Sequence, residues 1–387
     1  MKTVGVITGS RAEYGQLKPL LKRLLESEIR LNLIVTGSHL LDSGGNTIKE
    51  IEDDEIPIYA KIRIPDGSKN RVAMSNATGE AIKLYTAFFE KGTIDILVLI
   101  GDRYEMFAAA TAAALLEIPC AHICGGSVTA GAVDEFFRHS ITKMSLLHFT
   151  TCSTYRNRVI QLGEEPSRVF NVGSLAIENV LQVPLMSVEK FGESIKFKLD
   201  RPYCVVTFHP ETLSARSPES QLQELIDAMI ENNDLLYIIT LANVDAGGSS
   251  INERWISEGE KHDNWYVTPS LGLVRYLSAL KYAEMMIGNS SSGTTEGPAM
   301  HIPVVNIGNR QKGRIMADCV IQCNIHKTEI CAAINKARSK EMKDILRNTI
   351  SPFGDGHTSE KIVDIIRTFL YENLHNLQKE FYDIKVE

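Results

Sequence analysis

At 387 residues the chain is long enough for about two domains, and 44% hydrophobic residues can supply a core to each. Lys and Arg total 41 against 48 Asp and Glu, and the resulting net charge of −7 argues against a general nucleic-acid binder while leaving room for a local basic pocket. The N-terminus MKTVGVITGS reads as a first strand rather than a leader, no apolar run is long enough to span a membrane, and seven cysteines without framework spacing point to a reduced, cytoplasmic protein without a zinc site.

Short apolar strands alternate with helical stretches. In the first half strands are expected at 3–8, 31–36, 95–101, 119–123, 146–150 and 169–172, with helices at 14–26, 78–90, 104–116, 134–144 and 154–162. This is the rhythm of a parallel, doubly wound sheet. The charged stretch 187–202 reads as a linker, after which the rhythm restarts. Strands are expected at 203–208, 235–241, 265–269, 285–288, 303–307 and 320–323, with helices at 219–231, 273–283, 293–300 and 327–338. A final amphipathic helix starts near Thr358 and is expected to run to about residue 380 and pack on the first domain. The fold class is therefore α/β, with one Rossmann-like domain over 1–180 plus the helix at about 360–387, and a second over 190–357.

Ligands of doubly wound domains bind beyond the carboxyl ends of the strands, so the strand exits carry the functional information. The richest stretch is 285–314, where Met285-Met286-Ile287 stops at Gly288-Asn289 and three serines follow. Small hydroxyl residues at a strand-to-helix turn offer N–H and Oγ donors to a phosphate. Glu296, one to two turns on, can accept from two ribose hydroxyls, and Arg310, Lys312 and Arg314 follow the next strand. The segment suits a nucleoside diphosphate. No GxGxxG follows the first strand, so a nicotinamide cofactor is not supported.

The exits taken together resemble a known family. ITGSRAEYG, GDRYE, HI-x-GG followed by DEFFRHSITKMS, FHPET, NVDAG, IGNSSSG-x-x-E and NIGNRQKGR occur in that order across nearly the whole chain. The set is similar to the hydrolysing UDP-N-acetylglucosamine 2-epimerases, which open bacterial sialic-acid biosynthesis. The resemblance implies a GT-B fold with an inter-domain cleft and conversion of UDP-N-acetylglucosamine and water to N-acetylmannosamine and UDP through a 2-acetamidoglucal. It implies no metal or other cofactor, UDP-sugar and UDP as partners, and a homodimer or dimer of dimers.

By the same resemblance Ser290 and Ser291 bind phosphate, Glu296 binds the ribose, and Asn243 and Arg310 line the nucleotide pocket. Arg11 and Ala12 form a clamp from the first strand exit, Arg103 binds phosphate, and His209 meets the β-phosphate or the sugar during catalysis. Asp102 resembles the catalytic aspartate, with the N-cap of the next helix as its structural alternative. Asp134 matches a second catalytic carboxylate, although it can also cap its helix or pair with Arg138 at i,i+4. Glu135 points about 100° away on the helix and carries less weight. Arg138, His39 and His122 are candidate substrate contacts.

One departure stands out. Many relatives read HIEGGE or HIHGGE where this chain has His122-Ile123-Cys124-Gly125-Gly126-Ser127, so neither position where the family places an acid is acidic. Alternatives are a 2-epimerase acting on UDP-N,N′-diacetylbacillosamine, or a catalytically silent nucleotide-sugar sensor.

Overall fold

The computed structural model describes residues 1–384 except 42–46, 68–69, 93, 130–132, 210, 212–215, 243–247, 350 and 373–377. The chain divides into two units, Met1–Asn179 with Phe353–Glu387, and Val180–Pro352. In the first, the strands are β1 (Thr3–Thr8), β2 (Arg30–Val35), β3 (Ile58–Lys61), β4 (Ile96–Ile100), β5 (Cys120–Ile123), β6 (Leu147–Thr150) and β7 (Val169–Asn171). In the second they are β8 (Tyr203–Thr207), β9 (Leu236–Thr240), β10 (Trp265–Thr268), β11 (Met285–Gly288), β12 (Val304–Ile307) and β13 (Val320–Cys323). The helices are α1 (Arg11–Leu25), α2 (Ile48–Asp53), α3 (Arg71–Phe89), α4 (Tyr104–Leu115), α5 (Asp134–Met144), α6 (Ser153–Gln161), α7 (Leu175–Gln182), α8 (Val188–Ile195), α9 (Pro218–Glu231), α10 (Gly248–Gly259), α11 (Gly272–Tyr282), α12 (Glu296–Ala299), α13 (Lys327–Ala337), α14 (Lys340–Asn348) and α15 (Thr358–Tyr371).

Every residue of β1, β4, β8, β9 and β11 is buried, as expected of strands covered by helices on both faces. All the strand pairings are parallel. The first sheet runs β3-β2-β1-β4-β5-β6-β7 and the second β10-β9-β8-β11-β12-β13. Both are Rossmann-like orders, and the protein has the GT-B type of fold with two such units. In each, the chain reverses its direction of winding at one place, between β1 and β4 and between β8 and β11. The crevice for a ligand opens at these two switch points.

Two expectations need correction. The stretch 187–202 is not a linker. Ser187 caps α8 by accepting from Lys190 N at 3.3 Å, and Phe191 and Ile195 are buried within the second unit. Abundant surface charge conceals this apolar i,i+4 pair. The final helix also stops at Tyr371 rather than near residue 380, and residues 378–384 are non-helical. Lys379 and Phe381 there take partners on α5 and at Gly163 that a helical continuation would not provide.

Gly288 ends β11 directly opposite Thr207, at φ 137°. A Cβ there would lie 1.9 Å from the Thr207 carbonyl oxygen, a backbone atom that cannot step aside. Gly288→Ala is expected to cost about 3 kcal/mol or more in thermal or urea unfolding. An unchanged melting temperature would contradict this close approach.

Candidate active site

At the first switch point, β1 runs into Gly9-Ser10, and the Ser10 hydroxyl accepts from Glu13 N to cap α1. Arg11 and Ala12 thus occupy the exposed first turn of α1, where free N–H groups and the helix dipole favour an anion. Glu13 turns inward and accepts from Gly9 N at 2.7 Å, while its other oxygen has no hydrogen-bond partner among the described residues. Arg103, from the exit of β4, sits 4.0 Å from that oxygen and binds the buried Glu105 at 2.8 Å. One guanidinium therefore faces two buried carboxyl groups. Burial, and then the Glu105 charge, push the Glu13 carboxyl up to about 8.

Asp102, also at the exit of β4, does not cap α4, whose N-cap position is Arg103. Its carboxylate, 27% exposed, accepts from Arg138 of α5. Arg138 is 2% exposed and has every reason to be fully paired. It donates to Asp102, to Glu135, to the Ser127 carbonyl at 3.0 Å and to the Thr129 hydroxyl at 2.9 Å. Glu135 also accepts from Thr129 N, so the loop after the HICGGS motif is fastened to the same guanidinium. Against burial, which raises it, the Thr129 N–H and Arg138 hold the Glu135 carboxyl below its ordinary value. Asp134 is half-buried in the first turn of α5, beside this cluster in sequence.

His122 and His39 are struts. His122 is fully buried, with Nε2 2.8 Å from the Gly101 carbonyl and Nδ1 3.0 Å from the Thr142 hydroxyl. A carbonyl only accepts, so Nε2 carries the proton and Nδ1 accepts from Thr142. Burial lowers the ring to about 3, and it stays neutral. His39 is equally enclosed, between the Thr8 and Thr47 hydroxyls at 3.0 and 2.8 Å, and burial lowers it to about 4. Cys124 has the left-handed φ of 71° at the exit of β5, and burial, then the Asp102 charge, push its thiol up to about 12. It is a neutral thiol.

At the second switch point, Asn289 ties the ends of β8 and β11 together. Its Oδ1 accepts from His209 N at 2.7 Å and its Nδ2 donates to the His209 carbonyl at 2.8 Å. The Asn289 carbonyl in turn accepts from Arg310 at 3.1 Å and Gln311 at 2.8 Å. This brings His209, the Ser290-Ser291 turn and Arg310 to one strand end. His209 is 7% exposed, its Nδ1 has no partner among the described residues, and burial, then the Arg310 charge, lower the ring to about 4. It is a neutral, buried hydrogen-bonding group at the strand end. Ser290 caps the short turn Ser291–Gly293, Ser291 is exposed, and half-buried Glu296 begins α12, bonded to the Thr295 hydroxyl. Glu211 accepts from the N–H groups of Asn309 and Arg310. Asn243 lies outside the described residues.

The sequence reading singled out Asp102, Arg138, His209, Ser290 and Arg310, but it discounted Glu135 and passed over Glu13, Glu105 and Asn289. Glu135 is i−3 to Arg138, a spacing that signals the pair it makes. The other three sit inside motifs already recognised, and only the fold shows that they face one another.

The family model described as UDP-N-acetylglucosamine 2-epimerase matches residues 22–367. The chain belongs to this family. It is 38% identical to the polysialic acid biosynthesis protein P7 of Escherichia coli over 99% of this chain and 98% of that one. It is 36% identical to a GDP/UDP-N,N′-diacetylbacillosamine 2-epimerase (hydrolyzing) of Campylobacter jejuni over 88% of this chain and 89% of that one. In fold it matches the crystal structure of UDP-GlcNAc 2-epimerase from Neisseria meningitidis bound to UDP-GlcNAc, with a TM-score of 0.82 at 17% identity, covering 95% of this chain and 100% of that one. Family membership makes this chain an enzyme of the UDP-N-acetylglucosamine 2-epimerase family, and each unit contributes one strand-end cluster of candidate residues.

The Glu13 carboxyl supplies a test of the electrostatics. Its folded value lies above the ordinary one, so the stability it contributes is present below about 4.5 and lost as pH rises through about 8. Glu13→Gln keeps an acceptor for Gly9 N–H and has nothing to ionise. The melting temperature of the variant relative to wild type is expected to climb from about pH 5 to about pH 8 and then level off. Parallel pH profiles for the two proteins would contradict a protonated buried acid.

Proposed function

We propose that this protein is a hydrolysing 2-epimerase that converts UDP-N-acetylglucosamine and water to N-acetylmannosamine and UDP. The observation that carries the reading is the half-exposed Asp102 carboxylate, held at the β4 exit by a buried guanidinium beside a second acid-bearing turn. In the second unit, the Ser290-Ser291 turn and Arg310 receive the diphosphate, neutral His209 donates to it or bonds a sugar hydroxyl, and Glu296 takes the ribose hydroxyls. Asn243 joins the nucleotide contacts. Arg11, the Ala12 backbone and Arg103 bring further donors and positive charge for the phosphates from the first unit.

The proton on C2 has no adjacent carbonyl to acidify it, so its removal must accompany loss of the leaving group. Asp102, held in place by Arg138, takes the C2 proton as the bond from C1 to the UDP oxygen breaks, giving 2-acetamidoglucal and UDP. Protonated Asp134 then delivers its proton to C2 on the opposite face as water adds its hydroxyl to C1, the remaining water proton restores Asp134, and Asp102 releases the proton it took to solvent. Cys124 and Ser127 take no part, which leaves two carboxyl groups to do the work of a larger set. His39 and His122 hold the strand ends rather than touch the sugar.

The substrate choice is supported by the 38% identity to a polysialic acid biosynthesis protein. The 36% identity to a diacetylbacillosamine epimerase favours a second reading with that sugar. Incubation in deuterated water with each UDP-sugar in turn separates them. The expected result is free N-acetylmannosamine carrying deuterium at C2, together with UDP, from UDP-N-acetylglucosamine. Turnover of the diacetylated sugar alone would transfer the mechanism to that substrate, a product still bearing UDP would make the enzyme non-hydrolysing, and no turnover of either would overturn the reading.

A further inference from the structure

The last described stretch of the chain, 378–384, returns to the helix that carries Arg138. Lys379 Nζ donates to the carbonyls of Lys143 at 2.7 Å and Ser145 at 2.6 Å, reaches that of Thr142 at 3.3 Å, and pairs with the buried Glu164 at 2.6 Å. The last carbonyls of a helix lack intrahelical partners and carry partial negative charge. A single ammonium therefore closes the end of α5. Phe381 fixes the approach. Its ring lies where a Cβ on Gly163 would sit, at 2.3 Å, and Tyr382 N donates to the Gly163 carbonyl at 3.0 Å. Lys143 Nζ stands 5.0 Å from the centre of the same ring.

Two routes lead from this clasp to Asp102. Thr142, whose carbonyl faces Lys379, gives its hydroxyl to His122, and His122 donates to the carbonyl of Gly101, the residue before Asp102. Arg138, one turn earlier on α5, bonds the Asp102 carboxylate itself. Ser145 bonds the Ile141 and Thr142 carbonyls through its hydroxyl and N–H, Lys379 adds the charge that this internal cap lacks, and the position of the helix decides where both groups stand.

We propose that Lys379 is a positioning residue for the reaction, setting Asp102 through α5 without touching substrate. The inference rests on the reading of Asp102 given above. Lys379→Met keeps the aliphatic stem and removes the charge. Its kcat on UDP-N-acetylglucosamine is expected to fall about 10- to 100-fold, the scale of loss produced by a misplaced reacting group. KM and UDP affinity are expected to hold within about twofold, because the proposed nucleotide contacts are concentrated in the second unit. Phe381→Ala, which loosens the same clasp, is expected to move kcat in the same direction by less, and it replaces Lys379→Met should that variant not fold by circular dichroism. Wild-type kcat in the folded variant would overturn the positioning role while leaving Asp102 as the base. So would a loss of UDP affinity as large as the loss of kcat. Absence of turnover in the wild-type protein would instead remove the reading on which this role depends, and the role with it.

Discussion

Arg138 brings a permanent positive charge into the interior of the first unit, and the surrounding structure is arranged to satisfy it. Leaving such a group unpaired costs about 3–5 kcal/mol, so its partners are constrained as strongly as it is. Those partners are a carboxylate at the exit of β4, a carboxylate on its own helix, and a carbonyl and a hydroxyl from the loop after β5. Three separate segments are thereby fixed around one planar fork. Asp102, at 27% exposed, keeps part of its surface open while the guanidinium beside it fixes its place at the strand exit. The ion pair thus links the folding of the first unit to the chemistry proposed for it.

The architecture was legible because it depends on burial patterns. Apolar runs such as Ile96–Ile100 and Met285–Gly288 belong to strands covered on both sides, and polar residues crowd at their exits. The failures also have physical causes. β3 alternates half-buried and exposed residues at the sheet edge and lacks an apolar run. In α8 the charged residues outnumber the two that anchor it, Phe191 and Ile195. The end of α15 is set by contacts to distant residues, which no local propensity encodes. At the site, motif text identified Asp102 and His209 individually. The partnership of Asp102 with Arg138 spans 36 positions, and that of His209 with Asn289 spans 80, so both required the fold.

The two units solve their electrostatic problems differently. The second keeps His209 neutral by burial and by the nearby Arg310, which places a ring nitrogen without a partner among the described residues near a cation at one strand end. That combination suits a phosphate, which can accept from both. The first unit holds two carboxyl groups, Glu13 and Glu105, against a single guanidinium, and burial keeps one of them protonated near neutral pH. Arg103 therefore retains positive character at the crevice instead of being fully neutralised. Cys124, held neutral by burial and by the Asp102 charge, adds no negative charge beside Asp102.

The account stands or falls on whether the charge of Asp102 serves chemistry rather than architecture. Turnover of UDP-N-acetylglucosamine and UDP affinity of Asp102→Asn, measured on the same folded preparation, decide it most directly. Loss of kcat by about 100-fold or more with UDP affinity retained is the predicted result, the scale expected when a proton-transfer group is removed. Near-normal turnover in that variant would contradict the account.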